Sequence, residues 1–96
     1  LIVQNALYAQ KRMADLPGVK LKFRSSNFKE FVVDYSASGI SAAQINSLLL
    51  EKGIFGGKDL TSEFPELKNC SLYCVTDMHS KSDIDTLISA LQEILK

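Results

Sequence analysis

The residue types able to do chemistry crowd into one stretch of this sequence: Gly53-Ile-Phe-Gly-Gly-Lys-Asp-Leu60, Phe64-Pro-Glu-Leu67, Asn69-Cys-Ser-Leu-Tyr-Cys-Val-Thr-Asp77 and Lys81-Ser-Asp-Ile-Asp85. Gly56 and Gly57 lack a β-carbon, so their backbone can approach a ligand closely and present unshielded amides. A simple turn explains them equally well, because neither the phosphate-loop pattern nor Gly-x-Gly-x-x-Gly is present. Thr76 and Asp77 close a strand, and a sheet delivers such terminal polar groups rigidly to a cleft. The alternative is a turn in which Asp77 accepts local backbone amides.

Other chemistries find less. His79 is the only histidine, and without a second His or a nearby Cys cluster it makes no conventional zinc site. Cys70 and Cys74 share one face of the strand reading but stand ~13 Å apart at ~3.3 Å per residue, too far for a disulfide or a shared metal. Two reduced, mostly buried thiols are expected. No Gly-x-Ser-x-Gly nucleophile elbow occurs. Asp83 and Asp85 fall at a helix start, where capping accounts for them. No lysine stands in a recognisable Schiff-base context, which a pyridoxal phosphate (PLP) enzyme requires.

Composition narrows the classes further. With 96 residues, 46% hydrophobic and 23% charged, the chain reads as one globular domain. Eleven basic residues balance eleven acidic ones, so no long-range field draws it to nucleic acid or an anionic bilayer. No run approaches the ~20 apolar residues of a membrane span, and no basic leader precedes an apolar stretch. A cytoplasmic protein is expected. The chain starts with Leu1 and is already periodic there, so residues 1–96 are read as one domain of a longer polypeptide.

The elements that must position the chemistry follow from periodicity. Ile2, Ala6, Ala9, Met13 and Leu16 step by four and three, predicting a helix that Pro17-Gly18 ends. Val19, Leu21 and Phe23 alternate with Lys20, Lys22 and Arg24, predicting a strand with one buried and one basic, wet face. Phe31 to Tyr35 is apolar on both faces and predicts a more central strand, antiparallel to the first. Ser41 with Gln44 signals a capping box, Ala42, Ile45, Leu48 and Leu49 the buried side of a second helix, and Gly53 its end. Ile54 to Leu67 is an irregular connection of functional length. Ser71 to Thr76 predicts a third strand. Ser82 with Asp85 caps a last helix whose stripe is Ile84, Leu87, Ile88, Leu91 and Leu95. The order is that of a two-layer α+β domain with an antiparallel or mixed sheet covered by helices.

In order and spacing these motifs, with Leu16-Pro-Gly-Val19 and Phe28-Lys-Glu-Phe-Val-Val33 upstream, resemble the C-terminal domain of subunit 1 of glycine dehydrogenase (decarboxylating), the P-protein of the glycine cleavage system. The resemblance implies the small C-terminal domain of a fold-type I PLP enzyme. It implies an assembly that decarboxylates glycine and passes the aminomethyl group to lipoyl H-protein, with subunit 2 as partner and the cofactor lysine on that subunit. This chain would then be inert alone, and Gly56, Gly57, Thr76 and Asp77 would line the cleft or a subunit interface. Two other readings stay open: a free-standing α+β binding or dimerisation module, and the small domain of another fold-type I enzyme. The latter needs a substrate-holding arginine, and neither Arg12 nor Arg24 has a convincing strand-end setting.

Overall fold

A computed structural model describes residues 2–25, 29–54, 56–61, 63–75 and 80–95, the side chains of residues 2 and 3 excepted. Among them lie three α-helices, α1 (Ile2–Ala14), α2 (Ala42–Glu51) and α3 (Lys81–Ile94), and four strands, β1 (Lys20–Arg24), β2 (Glu30–Asp34), β3 (Lys58–Asp59) and β4 (Cys70–Cys74). The strands form one sheet in the order β1-β2-β4-β3, with every neighbouring pair antiparallel. The α+β expectation holds, and β2 takes the interior position that its two apolar faces predict.

The helices cover one face of this sheet. Ala6, Ala9 and Met13 of α1, Ala42, Ile45 and Leu49 of α2, and Ile84, Ile88 and Leu91 of α3 meet Phe31, Val33, Tyr35, Tyr73 and Val75 in one core. Ile88 and Leu91 are completely buried, each contributing about 1.5–3 kcal/mol as an upper limit. The predicted stripes of all three helices therefore supply the core, with Leu48 and Leu87 only part-buried.

Local geometry refines the helix ends. Gly53, just past the Lys52 cap of α2, adopts φ of +77°, the left-handed conformation that ends a helix at low cost only for glycine. Gly18 has the same φ in the turn between α1, which stops at Ala14, and β1. At α2 only the Ser41 half of the expected box forms, its hydroxyl accepting from the Gln44 amide at 3.1 Å. The start of α3 differs from expectation: Ser80, two residues before Ser82, is the cap, and Asp83 reciprocates. The sequence holds two overlapping Ser-x-x-Asp patterns. Tertiary contact selects the first, because Asp85 then turns to α1, where it accepts from the Tyr8 hydroxyl and pairs with Arg12 at 3.5 Å.

Strand β1 also departs from expectation. All five of its residues are exposed, because it is the sheet edge and a bulge at Lys22 breaks its alternation. Leu21 pairs with Val33 on the helix side, whereas Phe23 pairs with Val32 on the other. Partial burial pushes the Asp34 carboxyl up, but bonding by Ser36, with smaller help from Lys22 and Lys20 of β1, holds it below its usual range. The connection predicted as irregular contains β3, and β4 spans Cys70–Cys74, beginning one residue before the predicted Ser71 and leaving Val75 out; Thr76 lies outside the described residues.

Candidate functional site

The two glycines that sequence singles out sit on the rim of a cleft of about 510 Å3. It opens between Gly53, Ile54, Gly56, Gly57 and Lys58 on one side and the first turns of α3 on the other, with Phe31, Tyr73 and Val75 as its floor. Phe31 and Tyr73 stack at 5.8 Å between ring centroids. Gly56 and Gly57 both line it. Thr76 and Asp77, the other two candidates, and His79 lie outside the described residues.

Gly57 owes its place to room rather than to backbone freedom. A β-carbon there would stand 2.6 Å from the Leu72 carbonyl oxygen and 2.8 Å from the Tyr73 ring. The Asn46 side chain donates to the Gly57 carbonyl at 2.9 Å, and the Gly57 backbone bonds to the Tyr73 hydroxyl. The Tyr73 hydroxyl in turn meets that of Tyr35 at 2.6 Å. Burial pushes both phenols up from their ordinary range. They stay protonated at neutral pH and act as hydrogen-bonding struts without exchanging protons. A rigid polar line thus runs from α2 through the glycine turn into the sheet.

Sequence reading did not single out Asn46, Tyr35 or Tyr73. Asn46 follows the buried Ile45, so its position on the border of the helix stripe was a usable sign. The tyrosine pair joins residues 38 apart and has no local signature.

The charges of the cleft are already engaged. Lys58 pairs with Glu63 at 3.0 Å, and Asp83 closes the α3 cap. Among the described residues none of the lysines is buried, so none has the desolvated setting that holds a pyridoxal aldehyde. The residues described in this chain therefore do not fit a covalent PLP site.

Both thiols are free, but only Cys70 is buried, whereas Cys74 is exposed, which corrects the expectation of two mostly hidden thiols. They share the sheet face away from the helices. Loop residues Leu60 and Leu67 cover Cys70 and not Cys74. Burial pushes the Cys70 thiol up.

No family model matches the chain. The probable glycine dehydrogenase (decarboxylating) subunit 1 of Desulfitobacterium hafniense is 38% identical over 98% of this chain and 20% of its own length. The protein so named in Moorella thermoacetica is 41% identical over 94% of this chain and 20% of its own. The chain thus spans about a fifth of the curated relatives it matches. Among solved structures, a glycine decarboxylase (P-protein) of the glycine cleavage system, in inhibitor-bound form, superposes with a TM-score of 0.82 at 24% identity. It covers 97% of this chain and 20% of the other. A cysteine desulfurase from Escherichia coli follows at 0.74 and 25%, covering 96% and 24%. These likenesses extend the α+β architecture to larger enzymes.

Proposed function

This chain belongs to the same family as a fifth-length stretch of glycine dehydrogenase (decarboxylating) subunit 1, and we propose that it serves as the C-terminal small domain of such a subunit. In this reading the assembled enzyme decarboxylates glycine in the cytoplasm and hands the aminomethyl group to lipoyl H-protein. The observation that carries it is 36–41% identity sustained over 94–99% of the chain. Agreement of that extent reaches every element, including the glycine turn and both flanking strands.

The chain's own contribution is positional. PLP, when bound in the assembly, supplies the electron sink for decarboxylation, and we assign its lysine to subunit 2. None of the lysines described here is buried, and Lys58, which reaches the cleft, is taken by Glu63. Gly56 and Gly57 form a wall of the cleft, held by Asn46 and Tyr73. Such a wall excludes water and fixes the distance between this domain and whatever faces it, which is how a scaffold contributes to catalysis without touching protons.

The experiment is reductive trapping. The subunit 1 polypeptide and subunit 2 are mixed with PLP, reduced with borohydride and separated by mass. The expected result is a phosphopyridoxyl adduct on subunit 2 alone. An adduct on any lysine between residues 1 and 96 would overturn the assignment.

A further inference from the structure

Two starts for α3 are written in one stretch. Ser80 with Asp83 forms the cap that the structure shows, and Ser82 with Asp85 repeats the same residue types two positions on. Because each box pairs a serine hydroxyl with an aspartate three residues later, their capping strengths nearly cancel. What separates the two starts is the contact that Asp85 makes elsewhere.

That contact converges on Tyr8. Its hydroxyl donates to Asp85 and accepts from Arg12 at 2.8 Å, while the Lys81 ammonium stands 5.0 Å from the centre of its ring. Lys81 and Asp85 lie four residues apart, so they meet at one tyrosine only while the first turn of α3 is wound. Beyond that turn nothing need move. The Ser82 carbonyl already accepts from the Thr86 hydroxyl at 3.0 Å, which holds it in place for a helix beginning there, and the buried stripe starts only at Ile84, inside both registers.

We propose that α3 is a two-register element latched by Tyr8. When Asp85 leaves Tyr8 and Arg12, its carboxylate turns back to the Ser82 amide, the Ser82 hydroxyl accepts from the Asp85 amide, and Lys81 and Ser82 unwind. The output falls on the cleft. Asp83, which lines it, accepts from the Ser80 amide at 2.9 Å in the latched form and gives up that bond in the other, so its carboxylate becomes available to whatever enters the cleft. The latch thereby regulates the charge that the cleft presents, and it stands on these contacts whether or not the family reading holds.

Hydrogen exchange of the purified natural polypeptide, resolved at single amides, tests the latch. In the second register the Asp83 amide loses the Ser80 hydroxyl and the Ile84 amide loses the Ser80 carbonyl, their partners at 3.2 and 3.1 Å. Tyr8→Phe combined with Arg12→Gln is expected to speed exchange at both by at least about tenfold, the factor carried by a bond to a charged group, with Ile88 unchanged. Adding Ser82→Val should slow both again by about threefold or more, because valine matches serine in helix propensity but cannot cap. No acceleration in the double variant would overturn the proposal, and so would an acceleration that Ser82→Val leaves in place, the mark of simple fraying. If Ile88 quickens as well, the helix as a whole has loosened, and Ser82→Val in the otherwise unchanged chain decides. The two amides must then slow by about threefold or more, and unchanged rates would overturn the latch.

Discussion

Replacing Gly18 by alanine is expected to lower the melting temperature by roughly 10–40 °C, at about 4–8 °C per kcal/mol for a domain of this size. Two costs add. The backbone there has φ of +77°, which costs an L-residue about 1–2 kcal/mol. The new β-carbon would also stand 2.6 Å from the Ser38 Cα and 2.7 Å from its nitrogen, an overpacking of backbone on backbone worth about 1–3 kcal/mol. Gly39 separates the terms, since its φ is +76° but nothing lies within 4 Å of a β-carbon there. Gly39→Ala should therefore lose only the conformational part, partly offset by a less flexible unfolded chain. Thermal unfolding followed by circular dichroism gives the comparison. Equal losses in the two variants would mean that the contact between the end of α1 and the turn after β2 is not a tight one.

Gly57→Ala is the second large effect, and it acts on the candidate site itself. The obstacle is the Leu72 carbonyl and the buried Tyr73 ring, both on β4, which is paired on either side by β2 and β3. That strand has no room to retreat. A cost of about 1–3 kcal/mol is expected, with β3 displaced and the Asn46 bond to Gly57 lost. At Gly56 the close atoms are the Asn46 Oδ1 and, at 2.9 Å, the Leu49 Cδ1, the far ends of side chains rather than backbone. Gly56→Ala should cost less than Gly57→Ala, its main loss being the Asn46 bond to the Gly57 carbonyl as that side chain swings aside. Urea unfolding of the pair, compared at constant m-value, checks the order, and a reversal would show that Asn46 rather than β4 sets the turn.

What could be read in the sequence, and what could not, divides by the range of the interactions. The three helices were legible because a stripe such as Ile84, Ile88, Leu91 is written locally at helical spacing, and Gly18 and Gly53 announce their conformation by type alone. The sheet was legible where a strand is apolar on both faces, as in β2. The bulge at Lys22 was not, since its alternating neighbours are what a regular strand shows and only the pairing with β2 reveals the shift. Strand β3 is two residues long and too short for any period. The choice of Ser80 over Ser82 turned on Asp85 finding Tyr8 across the helix interface, a contact with no local trace. The site divides in the same way. Gly56 and Gly57 stood out by type, whereas Asn46, Tyr35 and Tyr73, which hold them, are brought together only by the fold.

The role of this domain in the assembly is tested most directly by glycine–bicarbonate exchange, measured with subunit 2, PLP and lipoyl H-protein present. The subunit is compared intact and with residues 1–96 deleted. Exchange should fall to background in the deletion, although the cofactor lysine we propose on subunit 2 is untouched. Exchange at the intact rate without these residues would contradict the account.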